Sequence, residues 1–179
     1  FHRASVNRLV QLTAHGSFSL RIYQSSHSRL PSPYARSAYE LQQGHDLGQR
    51  MQQAIEQELR HSQRVLLIGS DCLEIGLDSI EKAFESLQHR SSVVFTPAND
   101  GGYVLVGMRQ ACPALFTQIQ WGCSSVLEQS VKRARQAGRK IVLMPSLIDV
   151  DDYADIEQLR QPSILSTLNL SARAILKPL

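Results

Sequence analysis

Apolar residues recur along the chain in two spacings, and these predict alternating helices and strands. Apolar positions three or four residues apart indicate helices, whereas short alternating or continuous apolar runs indicate strands. The predicted helices are Ala4–Leu12, Leu47–Leu59, Ile75–Leu87 and Val126–Ala137. The predicted strands are Phe18–Tyr23, Arg64–Gly69, Ser92–Thr96, Tyr103–Met108 and Lys140–Met144.

This order predicts an α/β fold with a mostly parallel sheet, because most strands are separated by helices. The continuous apolar run Arg64–Gly69 is typical of a strand buried on both faces, so it is our candidate for the central strand. One domain is expected over residues 1–160, with a leucine-rich packing or oligomer-forming tail over 161–179. Ligands of such sheets bind beyond the carboxyl ends of the strands.

Composition narrows the class of protein. The chain has 179 residues, a net charge of +3 and three cysteines without metal-binding spacing, which favours a reducing, cytoplasmic location. The basic residues between Lys132 and Lys140 lack interleaved aromatic residues, so a solvated helix face is preferred over a nucleic-acid site. No apolar run is long enough to predict a membrane span. The chain begins at Phe1, and its first residues resemble the later part of a helix. We therefore expect an upstream segment.

The first acidic candidate is Asp71, two residues beyond the run that ends at Gly69. A carboxylate at the end of a buried strand suits Mg²⁺ or Mn²⁺, which prefer oxygen ligands and commonly bridge to substrate phosphates. The alternative is a helix cap, because a predicted helix follows. Neighbouring Cys72 is interpreted as a packing residue.

The second candidate is the turn Asp100-Gly101-Gly102-Tyr103 between two predicted strands. Glycines allow a ligand to approach the backbone, so the turn is interpreted as an active-site edge. An ordinary Asp-Gly hairpin turn is the alternative.

The third candidate is the acidic segment Asp149-Val150-Asp151-Asp152, beyond the last predicted strand. In an extended segment Asp149 and Asp151 lie on one side, so one of them could reach a metal. Asp152 suits the start of a following helix.

Other polar and aromatic residues have two interpretations each. Asp46 and Arg50 are one helical turn apart and either contact a nucleotide phosphate or form an exposed ion pair. Tyr103 and Trp121 either stack on a base or sugar, or anchor the core.

Several of these motifs together resemble the bacterial glycosyltransferase-like family of radical-SAM/selenodomain-associated transferases. The wider group is that of nucleotide-diphospho-sugar transferases and nucleotidyltransferases, including the molybdenum-cofactor guanylyltransferase type. The matching elements, in order, are Gly44–Met51, Gly69–Cys72, Pro97–Gly107, Phe116–Gly122, Asp149–Asp151 and Asp155-Ile156.

The resemblance implies a GT-A version of a Rossmann-like sheet and a metal-dependent transfer from a nucleotide-sugar or nucleoside triphosphate to an unknown acceptor. It implies that Asp71 and an aspartate of 149–151 bind Mg²⁺ or Mn²⁺, and that residues 100–103 border the acceptor or sugar pocket. On this basis the candidate catalytic residues are Asp71 and Asp100. The candidate substrate-binding residues are Asp46, Arg50, Gly101, Gly102, Tyr103 and Trp121.

The chain also departs from the family pattern. Leu73 replaces a usual proline, and Asp152 replaces a usual threonine. Nothing in residues 1–15 matches the strand and basic glycine-containing loop with which the family normally opens. The alternative function is therefore a non-catalytic nucleotide-binding or scaffolding module of the same fold.

Overall fold

Helices and strands alternate along most of the chain in the computed structural model, which describes residues 2–13, 16–25, 38–72 and 74–148. The helices are α1 (His2–Thr13), α2 (Leu47–Glu58), α3 (Leu77–Ser86) and α4 (Val126–Gln136), with a 3-10 helix over Pro113–Phe116. The strands are β1 (Arg21–Gln24), β2 (Ala38–Leu41), β3 (Val65–Ile68), β4 (Ser92–Pro97), β5 (Tyr103–Met108) and β6 (Lys140–Leu143). The predicted α/β fold is confirmed.

The strands form two sheets. A four-stranded sheet has the order β3-β5-β4-β6, and β1 pairs with β2 in a separate parallel sheet. Strands β3, β4 and β6 run in one direction, whereas β5 lies between β3 and β4 and runs antiparallel to both. The carboxyl ends of β3, β4 and β6 therefore meet the amino end of β5 along one edge, which we call the ligand edge.

Alternate residues of β4 belong to two hydrophobic clusters. Val93 and Phe95 pack with residues of α2, α4 and the 3-10 helix. Val94 packs in the second cluster with residues of α1 and α3. Because successive side chains of a strand point to opposite faces, the sheet lies between two layers of helices.

The prediction that Arg64–Gly69 is the central strand is wrong. This run forms β3 at one end of the four-stranded sheet, while β4 and β5 occupy the middle. A continuous apolar run indicates that both faces of a strand are covered, but it does not indicate where that strand lies in the strand order. Here α2 and α3 contact β3. The outer side of β3 borders a cleft of about 700 Å³, which Arg21 and Tyr23 of β1 also line.

The described residues include no helix long and apolar enough to cross a membrane. The predicted tail over 161–179 lies outside the described residues.

Candidate functional site

Three chain segments reach the ligand edge, each following a strand that runs in the same direction. Residues 69–72 and 74–76 follow β3, the turn at 98–102 joins β4 to β5, and residues 144–148 follow β6. The Gly69 amide donates to the Val104 carbonyl at 2.9 Å, which joins the first segment to the start of β5. The Leu147 amide donates to the Pro97 carbonyl at 3.0 Å, which joins the third segment to the end of β4.

Asp71 is half-buried at this edge, and its carboxylate folds back over Gly69. A Cβ atom at position 69 would collide with Asp71 Oδ1, so the glycine makes room for the carboxylate. Asp71 does not cap α3, because Gly76 occupies the N-cap position of that helix. Within the part of the chain that the structure describes, the Asp71 carboxylate accepts no hydrogen bond. It is therefore available to a cation.

The Asp100 turn is a structured hairpin. Asp100 Oδ1 accepts from the Gly102 amide at 2.7 Å, and the Gly102 carbonyl accepts from the Ala98 amide at 3.1 Å. Gly101 has a φ of +93°, and a Cβ atom there would collide with the Ser124 carbonyl oxygen. The turn is thus fitted tightly against the loop that precedes α4. The Asp100 side chain itself is exposed.

Gly48 joins two elements that are far apart in sequence. A Cβ atom at Gly48 would lie 2.8 Å from both the Phe116 carbonyl oxygen and Trp121 Cζ2. The half-buried Trp121 ring therefore packs directly on the first turn of α2. This contact explains why a glycine stands at position 48 inside a helix. It also places the chain segments 44–51 and 116–122 next to each other.

Asp46 and Arg50 make local bonds. Asp46 is the N-cap of α2, and its Oδ1 accepts from the Gln49 amide at 2.8 Å. Arg50 Nε donates to the Gly44 carbonyl at 3.1 Å. Among ion pairs of the described residues, none joins Asp46 to Arg50. Both side chains therefore stabilise the start of α2 in this structure.

Tyr103 is held in the core. Its ring meets Phe95 edge-on, with centroids 5.1 Å apart and an interplanar angle of 66°. Its hydroxyl is buried beside Ser130, and burial raises the pKa of that hydroxyl above its ordinary value. This ring is not displayed as a stacking surface for a base or sugar.

Comparison with known proteins places the chain in a family. The profile of DUF2064, a family of uncharacterised proteins conserved in bacteria, matches residues 10–123. The chain belongs to the DUF2064 family. The matched region contains Asp46, Asp71, Asp100 and Trp121, whereas Asp149 and Asp151 lie beyond it.

A solved structure resembles this DUF2064 member along nearly its whole length. It is the crystal structure of a "putative nucleotide-diphospho-sugar transferase" from Desulfovibrio desulfuricans G20, with 28% sequence identity and a TM-score of 0.82. The match covers 97% of this chain and 80% of the other. No curated protein matches the chain.

The DUF2064 chain brings one further carboxylate to the ligand edge, which sequence reasoning missed. Glu74 Oε2 accepts from the Ile148 amide at 2.6 Å, between positions 74 residues apart. Ile148 immediately precedes Asp149, which lies outside the described residues together with Asp151. No sequence signal identifies this bond, because a carboxylate acceptor for a distant backbone amide has no characteristic spacing.

The described residues of this DUF2064 member do not form a complete metal site by themselves. They gather no group of three His, Cys, Asp or Glu side chains. Asp71 fits a Mg²⁺ or Mn²⁺ ligand, because its oxygens are unbonded there and rest against a glycine that makes room for them.

Two cysteines near these loops differ in environment. Cys72 is fully buried, and desolvation raises the pKa of its thiol to about 12, so it remains a protonated packing residue. Cys123 is exposed, and a hydrogen bond with Ser125 lowers the pKa of its thiol.

Proposed function

We propose that this protein transfers a glycosyl or nucleotidyl group from a nucleotide-activated donor, in a reaction that requires Mg²⁺ or Mn²⁺. The observation that carries the proposal is the Asp71 carboxylate at the ligand edge, which accepts no hydrogen bond from the described residues. Three residues further on, Glu74 bonds to the segment that leads to Asp149. The similarity to a solved structure described as a "putative nucleotide-diphospho-sugar transferase" supports the same class of donor.

In this proposal Asp71 holds the cation together with Asp149 or Asp151. The bound cation would neutralise negative charge on the diphosphate as the bond to the transferred group breaks. Glycosyl transfer breaks the bond between the sugar carbon and the diphosphate oxygen. Nucleotidyl transfer instead breaks a bond to the α-phosphorus and releases pyrophosphate. Both reactions need carboxylates at the ligand edge, so the proposal includes both reactions.

The Asp100 turn borders the acceptor or sugar pocket in this proposal. The backbone N–H and C=O groups of Gly101 and Gly102 are bonded within the protein, so the turn would present the Asp100 side chain to a ligand rather than its backbone. Because Asp100 Oδ1 is engaged by the Gly102 amide, its other oxygen is the one available to accept a hydrogen bond from an acceptor hydroxyl. Trp121 would form a neighbouring wall, whereas Asp46 and Arg50 would act by shaping the start of α2. A cytoplasmic location is part of the same proposal.

A thermal-shift panel tests this function and names the donor. UDP-, GDP-, ADP- and CDP-sugars and the nucleoside triphosphates are each added with and without Mg²⁺ or Mn²⁺. A ligand at about 100 times its Kd stabilises the native state by about 2.7 kcal/mol. For a protein of this size that corresponds to a rise in Tm of about 5–10 °C.

The expected result is a metal-dependent rise for one base. A rise with a nucleotide-sugar favours glycosyl transfer, and a rise with the triphosphate alone favours nucleotidyl transfer. A rise that needs no metal would favour the alternative of a non-catalytic nucleotide-binding module. No rise with any ligand would contradict the proposed donor site.

A further inference from the structure

A second cavity lies at the edge of the four-stranded sheet opposite the ligand edge. Val65 at the start of β3 and Val93 near the start of β4 both pair with Met108, the last residue of β5. The loops that precede β3 and β4 therefore meet the chain that leaves β5. Together they line a cavity of about 540 Å³, which we call the basic cavity.

The basic cavity is lined by cationic side chains that no carboxylate compensates. Arg60 and His61 come from the loop between α2 and β3. Arg90 comes from the loop between α3 and β4, and Arg109 directly follows β5. The described residues that line the cavity include no aspartate or glutamate. Because a concave surface with charges of one sign concentrates the field, the cavity should attract anions.

The guanidinium groups of the basic cavity are free to bind a ligand. Within the part of the chain that the structure describes, the side chains of Arg60 and Arg90 make no hydrogen bond or ion pair. Arg109 Nη1 donates to the Gln88 carbonyl at 3.0 Å, which ties the end of β5 to the loop that carries Arg90. Arg109 Nε is buried without an acceptor among the described residues, so this guanidinium also has unused donors.

The acidic residue nearest to Arg60 in sequence is engaged elsewhere. Glu58 accepts a hydrogen bond from the Tyr23 hydroxyl at 2.9 Å and pairs with Arg21 at 3.5 Å. Its carboxylate belongs to the separate cleft between β1 and β3. Glu58 therefore does not neutralise the basic cavity.

Phosphate groups match the chemistry of the basic cavity. A guanidinium presents paired donors that fit two phosphate oxygens, and it stays charged at any physiological pH. Ser62 and Gln63 also line the cavity and offer neutral donors to the rest of a ligand. The volume falls within the range of about 300–1,000 Å³ that is usual for small-molecule sites. Among the described lining residues there is no Phe, Tyr or Trp on which a nucleic-acid base could stack.

We propose that the basic cavity binds a small molecule through a phosphate ester or diphosphate group, at a site separate from the ligand edge. The six residues of β5 lie between the Asp100 turn and Arg109, and an antiparallel strand of that length spans about 20 Å. A small ligand in the basic cavity therefore does not contact Asp71. The proposal goes beyond the proposed function and does not depend on it.

The test titrates inorganic pyrophosphate into the metal-free full chain by calorimetry. The variants are Arg60→Ala and Arg90→Ala, whose side chains are exposed, so that their removal leaves the core intact. Arg135→Ala is the matched control, because Arg135 is an exposed arginine of α4 that does not line the cavity. Co-sedimentation with phosphatidylcholine vesicles, with and without phosphatidic acid, separates a soluble phosphate ester from a lipid headgroup.

The expected result is a Kd for pyrophosphate raised about 10-fold in Arg60→Ala and in Arg90→Ala, the size of a lost hydrogen bond to a charged group. Arg135→Ala should match the parent. Pyrophosphate binding without vesicle binding assigns the cavity to a soluble ester. Additional binding to vesicles that contain phosphatidic acid, weakened in Arg90→Ala, assigns it to a lipid headgroup.

Three outcomes would overturn the proposal. Unchanged affinity in Arg60→Ala and Arg90→Ala would place pyrophosphate outside the basic cavity. An equal loss in Arg135→Ala would show general attraction to a basic protein rather than a site. Absence of pyrophosphate binding by the parent would overturn the basic cavity alone, since the proposed function is tested separately by metal-dependent binding of a nucleotide donor.

Discussion

At the residue scale, two glycines with a positive φ differ in what surrounds them. Gly101 has a φ of +93° and faces the Ser124 carbonyl, whereas Gly122 has a φ of +78° and open space. Gly122→Ala should cost about 1–2 kcal/mol, the strain of a left-handed conformation. Gly101→Ala should cost more than this, because backbone atoms must also move. Urea unfolding of both variants measures the difference, and equal losses would contradict the fitted turn.

Cys123 provides a second test at this scale. Since Ser125 lowers the pKa of the Cys123 thiol, more of it is thiolate at a given pH, and the thiolate is the reactive form. Iodoacetamide should label Cys123 in the native protein while buried Cys72 and Cys112 stay unlabelled. Ser125→Ala should return the pKa toward its ordinary value and slow the labelling near pH 7.5. Mass spectrometry of the labelled peptides checks both, and labelling of Cys72 at the same rate would contradict the account.

The sequence did not reveal the local roles of Asp46 and Arg50. The side chain of Gln49 accepts from the His45 amide at 3.1 Å while Asp46 accepts from the Gln49 amide, an arrangement close to a capping box. The Asp46-x-x-Gln49 spacing was a usable signal for this helix start. The bond of Arg50 to the Gly44 carbonyl was not predictable, because an arginine one turn from an aspartate fits an ion pair equally well.

At the scale of elements, the β4–β5 hairpin forms the centre of the four-stranded sheet. Phe95 in β4 is completely buried, whereas Leu143 in β6 is 54% exposed. Phe95→Ala should reduce the free energy of unfolding by about 3–5 kcal/mol, through lost burial and the cavity left behind. Leu143→Ala should change it by less than about 0.5 kcal/mol. Chemical denaturation distinguishes the two, and a small loss for Phe95→Ala would contradict the assigned core.

Most elements could be predicted because their signals are local. The apolar stripe of α2 and the run Tyr103–Met108 lie within single elements, and the structure confirms both. The order of the strands is not local, since it depends on which edges meet after the chain has folded. This is why β3 was misplaced, and why the four-residue strand β2 was not predicted at all.

At the scale of the whole molecule, strand direction gathers the candidate site. Because β3, β4 and β6 run in the same direction, the segments after them meet at the ligand edge, as the general rule for α/β sheets predicts. From the sequence, this rule predicted that Asp71 and Asp100 lie at the same edge of the sheet. It did not predict the bond between Glu74 and Ile148, which depends on the exact course of two loops.

The central claim is that Asp71 holds a divalent cation for a nucleotide donor. The most direct measurement is calorimetric titration of Mn²⁺, followed by the donor nucleotide, into the parent, Asp71→Ala and Asp78→Ala. Asp78 is the matched control, because it is an exposed aspartate whose ion pair among the described residues is with Lys82 of its own helix. The account predicts a Kd for Mn²⁺ raised by at least about 100-fold in Asp71→Ala, since losing a ligand should exceed the loss of a group that only orients one. The control should match the parent, and equal affinities in Asp71→Ala and the parent would contradict the claim.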